Sequence, residues 1–80
     1  MNNKPIRKQM TFYRWVAMNI HKFEPKEEDI AQDILLDADF PQRSIDRDEI
    51  KNYLHERSVY FCMDCFDRMF SKYENRIRGV

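Results

Sequence analysis

The amino-acid sequence predicts an all-α protein, folded as a compact four-helix bundle, and three observations favour this class. Apolar residues recur every three or four positions along most of the chain, as they do on one face of an α-helix. Glycine occurs once, whereas the hairpins of sheet proteins usually need glycine in their turns. Three prolines divide the chain into a tail and helical segments. We therefore expect a short, flexible basic arm at residues 1–10 and a single helical domain at residues 11–80.

The first two helices are predicted between this arm and residue 40. Helix one begins after Thr11, a favourable N-cap residue, and ends before Pro25. Helix two begins near Glu27, because the positive end of a helix favours acidic residues, and it ends before Pro41. The predicted inward positions are Phe12, Trp15, Val16, Ile20 and Phe23 in helix one, and Ile30, Ala31, Ile34, Leu35 and Ala38 in helix two.

The segment DADFPQRSIDRDEIKNYL, residues 37–54, predicts a corner that leads into helix three. Phe40, which precedes Pro41, is expected to leave the helix and fold inward. Asp46 and Glu49 have the spacing of a capping box, which places a helix start between them. The other expectations for this helix are a hydrophobic staple of Ile45 on Ile50, inward positions at Ile50, Tyr53 and Leu54, and an end near Arg57.

Helix four is predicted from Ser58 to Arg78, since no breaker interrupts this stretch and Gly79 follows it as a cap residue. Its apolar face would consist of Val59, Cys62, Phe66, Met69, Phe70, Tyr73 and Ile77, with Asp64, Asp67, Arg68, Ser71, Lys72 and Asn75 toward solvent. Leu36 in helix two, and Tyr60 and Phe61 at the start of helix four, fall outside the apolar stripes. They are candidate exposed contact points, and packing against a neighbouring helix is the alternative.

The cysteine pair Cys62 and Cys65 has the C-x-x-C spacing of redox proteins. Such proteins need the first thiol at an exposed helix start or beside positive charge, whereas the pair is expected inside helix four, with Asp64 between the thiols. Packing is therefore the predicted role. A zinc site would need four ligands, and only His21 and His55 are available beside the thiols. Without a glycine-rich phosphate loop or a Ser, His and Asp set, we expect no enzyme activity, no metal or other cofactor and no small-molecule substrate.

The net charge is zero, but the charges are segregated along the chain. Residues 1–22 carry plus five, residues 23–50 minus seven and residues 51–80 plus two. A basic arm beside an acidic middle can pair within one molecule or steer head-to-tail association between two, and the alternative is a solvated surface of mixed charge, because exposed ion pairs are individually weak. No apolar run approaches the roughly 18 residues of a membrane span, and no apolar stretch follows the amino-terminal basic residues as in a signal peptide. We expect a cytoplasmic protein with no membrane contact, and two closely spaced cysteines fit that location.

The chain resembles the YozE family of small bacterial proteins over about residues 11–75. The shared features, in order, are Phe12-Tyr13, Phe40-Pro41, Ser44, Asp46, Glu49-Ile50, Tyr53-Leu54, Phe66-Asp67 and Tyr73-Glu74, with about one residue of slippage near residues 57 and 58. The resemblance implies a four-helix fold similar to the sterile alpha motif, a low-GC Gram-positive source and no catalytic residues. The basic arm and the two cysteines lie outside the resemblance.

The predicted function is that of a non-catalytic interaction module for an unknown protein partner or for a second copy bound head to tail. Sterile-alpha-motif relatives often join a mid-domain surface to the start of the last helix of a neighbour, and by that analogy the acidic corner at Asp46 and Asp48 would meet a surface near Arg57, Tyr60 and Phe61. Leu36, which falls outside its apolar stripe, is also assigned to the predicted surface. The alternative is weak nucleic-acid binding through helix one and a basic patch of Lys4, Arg7, Lys8 and Arg14. Charge argues against a helix-turn-helix, because helix three opens with Asp46, Asp48 and Glu49, which repel phosphates.

Overall fold

The fold, taken from a computed structural model that describes residues 9–57 and 61–77, consists of four α-helices. They are α1 (Phe12–Met18), α2 (Pro25–Leu36), α3 (Arg47–Arg57) and α4 (Met63–Ile77), and a 3-10 turn (Ile20–Lys22) joins α1 to α2. The described residues include no strand, so the predicted all-α four-helix class is confirmed. The predicted features that lie outside the described residues are Lys4, Arg7, Lys8, Ser58, Val59, Tyr60, Arg78 and Gly79.

Helix α1 begins as predicted and ends earlier than predicted. Thr11 Oγ1 accepts the backbone N–H of Arg14 at 3.2 Å, which confirms Thr11 as the N-cap. The helix ends at Met18, where the Asn19 side chain donates to the carbonyl of Trp15 and the Asn19 backbone N–H is shared between the carbonyls of Trp15 and Val16. These two donors satisfy a helix-end carbonyl and allow a tighter turn to follow.

Helix α2 begins two residues before the expected position. Pro25 takes the first helical position, where its fixed φ suits the helix and its missing N–H costs nothing. Glu24 and Glu27 form a capping box, in which the Glu27 carboxylate accepts the backbone N–H of Glu24 at 3.2 Å. Glu27 was expected only to mark the helix start, and the structure shows that it is also fully buried.

Ala38 was predicted to face inward from helix two, and the position of the end of α2 shows that it does not. The helix ends at Leu36, so Ala38 lies beyond it and is exposed rather than part of the apolar face. Asp37 Oδ1 accepts the backbone N–H of Asp39 at 2.9 Å, and this local turn competes with another turn of helix. Phe40 follows and is buried, as predicted.

Helix α3 has half of the predicted capping box. Asp46 Oδ1 accepts the backbone N–H groups of Asp48 and Glu49 at 2.9 Å and 3.4 Å, so the predicted N-cap is confirmed. The reciprocal bond is absent from the described residues, because the Glu49 carboxylate instead accepts the hydroxyl of Ser44 at 2.5 Å. Ile45 is exposed, so the expected staple is not part of the core.

The start of α4 differs from the prediction, which placed both cysteines inside a helix that began at Ser58. The helix begins at Met63, and Cys62 occupies the N-cap position, where its carbonyl accepts the backbone N–H of Phe66 at 3.1 Å. The N–H of Cys65 points at the sulfur of Cys62 at 3.2 Å, so this sulfur replaces the usual capping oxygen. The cysteines therefore flank the helix start, and they are joined by a disulfide bond.

The core is a cluster of aromatic rings held mainly between α1 and α4. Phe12 is fully buried, and its ring centroid lies 5.0–5.8 Å from those of four other rings. Aromatic pairs at these distances add to the stabilisation that comes from burying their area. The buried apolar residues are Phe12, Trp15, Val16, Ile30, Ala31, Ile34, Phe40, Ile50, Leu54, Cys65, Phe66, Met69, Phe70 and Tyr73.

Candidate functional site

A groove of about 670 Å³ lies between α2, the carboxyl end of α3 and the residues before α4, and we call it the α2–α3 groove. Its apolar lining is Ile30, Leu36, Leu54, Phe61 and Cys62, and its charged lining is Lys26, Asp29, Asp33, Asp37 and Arg57. Ligand pockets typically combine a concave apolar surface of this size with a few polar groups.

Three of the predicted contact residues meet in this groove. Leu36 is 85 % exposed on the last turn of α2, while Arg57 ends α3. Phe61 also lines the groove, but it is half-buried against Phe66 rather than freely exposed, which corrects its expected position. The alternative of packing against a neighbouring element therefore holds in part for Phe61, whereas Leu36 is exposed, as predicted.

Two other predicted contact residues, Asp46 and Asp48, lie at the opposite end of α3. An eleven-residue helix is about 16 Å long, so this acidic corner is separate from the groove. Arg47 contacts Asp48 at 3.7 Å and also pairs with Asp67 of α4, which links the corner to the last helix. Asp46 serves as the N-cap, so it has a structural role there.

A polar cluster closes the end of the α2–α3 groove. The hydroxyl of Tyr53 donates to the Asp37 carboxylate at 2.5 Å, and the Arg57 guanidinium lies 4.8 Å from the centroid of the Tyr53 ring. The hydrogen bond from Tyr53, together with the backbone N–H of Asp39, lowers the pKa of Asp37. Desolvation, and next the hydrogen bond to Asp37, raise the pKa of Tyr53 to about 12. The cluster joins the end of α2 to α3.

The charged lining of the groove is acidic on balance, with three carboxylates against two cations. Arg57 also donates to the Asp39 carboxylate at 3.4 Å, so part of its charge is already compensated. Asp29 and Asp33 are exposed on successive turns of α2, one turn apart on the side of the helix that faces the groove. The groove therefore presents apolar surface beside negative charge.

Glu27 is a residue whose role sequence reasoning missed. Its side chain is buried between α2 and α4, where Lys72 Nζ lies 3.3 Å and Arg68 Nε 3.5 Å from its carboxylate oxygens. The spacing of Arg68 and Lys72, one helical turn apart, was a usable signal for a carboxylate partner. The ion pairs of Glu27 with Arg68 and Lys72 therefore connect α2 to α4.

Arg14 is the residue of the predicted basic patch that lies within the described residues. It is exposed, and together with Arg43 it lines a second hollow, at the base of the arm, that is separate from the α2–α3 groove. Within residues 9–57 and 61–77 there is no group of three or more His, Cys, Asp or Glu side chains arranged to hold a metal ion. In the same ranges, no helix has the length and apolar character that crossing a membrane requires.

Comparison with known proteins places this geometry in a family. The sequence matches the family described as "YozE SAM-like fold" over residues 11–75, which spans all four helices except the last two residues of α4. The chain belongs to the YozE SAM-like fold family. This YozE-family chain is 35 % identical over 65 residues to a "UPF0346 protein" of Leuconostoc mesenteroides subsp. mesenteroides, with 79 % of the chain and 87 % of the relative covered. No solved structure matches it. The resemblance seen in the sequence is confirmed, and neither description names an activity, a ligand or a partner.

Proposed function

We propose that this YozE-family chain is a non-catalytic protein-interaction module of the cytoplasm, and that the α2–α3 groove binds a segment of a partner protein. The observation that carries the proposal is the position of Leu36, a large apolar side chain that is 85 % exposed at the edge of an apolar groove. Exposed apolar surface rimmed by polar groups is typical of binding sites. A partner side chain that fills the groove would remove Leu36 from water.

The chemistry of the groove favours a particular kind of partner segment. Its apolar lining suits an aliphatic or aromatic side chain, and the exposed carboxylates Asp29 and Asp33 favour lysine or arginine beside that side chain. Arg57 attracts an acidic partner less strongly, because Asp39 already contacts it. We therefore propose a partner segment with an apolar anchor and basic neighbours.

Head-to-tail binding of a second copy, in which the acidic corner of one copy meets Arg57 of the next, is a separate alternative to a partner segment with basic neighbours. The acidic corner at Asp46 and Asp48 and the groove end at Arg57 lie at opposite ends of α3, as a head-to-tail contact requires. Light scattering over a range of protein and salt concentrations tests this alternative. We expect the mass to rise with concentration and to fall as salt increases, and a strict monomer at high concentration and low salt would exclude it.

The decisive experiment expresses the full chain with one of two lysine substitutions in the source organism and compares the proteins that cross-link to each variant. Leu36→Lys places a charge at the edge of the groove, whereas the matched control Met18→Lys places one on α1, where Met18 is 59 % exposed. Both variants are expected to melt as wild type does, because both sites are exposed. A protein that cross-links to wild type and to Met18→Lys, but at least about tenfold less to Leu36→Lys, supports the groove as the binding site. Equal capture by both variants would contradict it.

Nucleic-acid binding is the second candidate, and the observation that favours it is the shared position of Arg14 and Arg43 in the second hollow. Two guanidinium groups at the base of a basic arm can contact phosphates without reading bases. A gel shift with single- and double-stranded nucleic acid distinguishes the candidates. Binding that weakens steeply with salt, and that Arg14→Gln reduces while Leu36→Lys does not, would favour nucleic acid over protein.

A further inference from the structure

The disulfide at the start of α4 has features beyond those of a packing contact. Cys62 is the N-cap of a 15-residue helix, and Cys65 lies in its first turn, with the two Cα atoms 5.2 Å apart. The three-residue spacing thus brings both sulfur atoms to the same side of the helix start. A redox role for this disulfide rests on the cytoplasmic location proposed above: small thiols keep most cysteines of the cytoplasm reduced, and a disulfide there is usually transient and takes part in redox chemistry.

The two cysteines differ sharply in their access to solvent. Cys65 is 1 % exposed and belongs to the buried core, beside Phe66 and Met69. Cys62 is half-buried and lines the α2–α3 groove, so a small molecule in that groove can reach its sulfur. A thiol reagent in solution can therefore react with Cys62 and not directly with Cys65.

The groups beside the two sulfur atoms of the disulfide would stabilise negative charge on sulfur once the bond is reduced. The backbone N–H of Cys65 lies 3.2 Å from Cys62 Sγ, and Arg68 Nη2 lies 3.6 Å from Cys65 Sγ. The amino-terminal end of a helix also favours an anion, and thiolates rather than thiols are the reactive species. Asp64, the acidic residue in this turn, opposes the effect, but its side chain is exposed and water screens its charge.

We propose that Cys62 and Cys65 form a redox-active pair that exchanges with the disulfides of small thiols, with Cys62 as the entry thiol and Cys65 as the resolving thiol. The thiolate of Cys62 attacks one sulfur of the small disulfide, which forms a mixed disulfide and releases one small thiolate. Cys65 then loses its proton to solvent and attacks Cys62 Sγ, which forms the protein disulfide and releases the second small thiolate. The protein loses two electrons and two protons, and one small disulfide becomes two small thiols. In the reverse direction, two small thiols reduce the pair.

Trapping of the mixed disulfide tests the assignment of the two thiols. Reduced Cys65→Ser, incubated with glutathione disulfide, is expected to gain one glutathionyl group on Cys62 and to retain it, because the resolving thiol is missing. Reduced Cys62→Ser should react at least about tenfold more slowly, since its remaining thiol is buried. Cys65→Ala serves as a second trapping variant, because a serine hydroxyl at this buried position disturbs the core. Absence of the adduct from folded Cys65 variants, or equal rates in the Cys62 and Cys65 variants, would overturn the proposal.

The wild-type chain provides a test that does not depend on the folding of any variant. After reduction and a brief treatment with iodoacetamide, peptide mapping should find the label on Cys62 in at least about tenfold excess over Cys65. Mixtures of reduced and oxidised glutathione should then convert the unlabelled chain reversibly between dithiol and disulfide, as followed by mass spectrometry. Equal labelling of both cysteines, or a disulfide that reduced glutathione does not open in the folded chain, would contradict the proposal.

Discussion

At the scale of single residues, the position of Glu27 at a helix start could be predicted from the sequence, whereas its burial could not. Its place in an acidic run correctly predicts a helix start, because that effect depends only on neighbouring residues. Its burial depends on Lys72, which is 45 positions away along the chain. The spacing of Arg68 and Lys72 indicates a carboxylate partner, but nothing in the local pattern identifies Glu27 as that carboxylate, so sequence reasoning missed the interaction.

We predict that Glu27→Gln lowers the free energy of unfolding by about 1–2 kcal/mol, because the amide keeps the capping geometry but loses the charge that Arg68 and Lys72 contact. The loss stays below that of an orphaned buried charge, since both cations are half-exposed and can return to water. Urea denaturation measures the difference, and Glu28→Gln, on the adjacent position of the same turn, is the control. If both variants are equally stable, the buried ion pairs do not stabilise the fold.

At the scale of helices, apolar periodicity predicted that four helices exist and predicted most of their inward faces. It located their ends less well, because a helix ends where individual side chains satisfy backbone groups. Helix α1 ends where the Asn19 side chain donates to a backbone carbonyl, and α4 begins where the sulfur of Cys62 accepts a backbone N–H. Neither residue interrupts the apolar pattern. The predicted cap at Asp46 succeeded because aspartate has a strong and general preference for that position.

The contact between α2 and α3 predicts how stability depends on alkaline pH. In the folded chain the pKa of Tyr53 is raised to about 12, whereas an unfolded chain releases the same proton near pH 10. The folded state thus binds more protons between these values, so its stability falls as pH rises from about 10 to about 12. We predict that Tyr53→Phe loses less stability than wild type over this range.

Urea denaturation at several alkaline pH values measures this loss. Tyr13→Phe is the control, because Tyr13 is a half-buried tyrosine whose ring packs on Phe40 and not at the Asp37 cluster. Burial also raises the pKa of Tyr73, so both variants should keep part of the alkaline loss. The same pH dependence in Tyr53→Phe and wild type would show that folding does not raise the pKa of Tyr53.

At the scale of the whole molecule, the core was easier to predict than the α2–α3 groove. A chain of 80 residues is long enough for one hydrophobic core, so the aromatic residues that recur with helical spacing pack together in it. The groove combines Ile30, Leu54 and Phe61 from three separate segments, and its shape depends on how those segments pack. The sequence did single out Leu36 and Phe61, because both fall outside the apolar stripes of their helices.

The arrangement of the core predicts that one ring has a disproportionate effect on stability. Phe12 is completely buried and stacks or packs edge-on with Phe66, Phe70 and Tyr73, so it connects the first helix to the last. Truncation of a buried phenylalanine to alanine typically costs about 3–5 kcal/mol, while a domain of this length has a total stability of about 4–12 kcal/mol. We therefore predict that Phe12→Ala loses much of its cooperative urea transition or is largely unfolded without urea.

The control is Met18→Ala, six positions later at the end of the same helix, where the side chain is 59 % exposed. Its stability should lie within about 0.5 kcal/mol of wild type, because exposed substitutions away from special features change little. Phe12→Leu adds a graded test, since it removes the ring contacts but keeps an apolar side chain, and it should fall between wild type and Phe12→Ala. If Phe12→Ala unfolds at the same urea concentration as Met18→Ala, then α1 is not joined to α4 through this ring, and the stability of the bundle must come from the packing of α2 and α3 on α4.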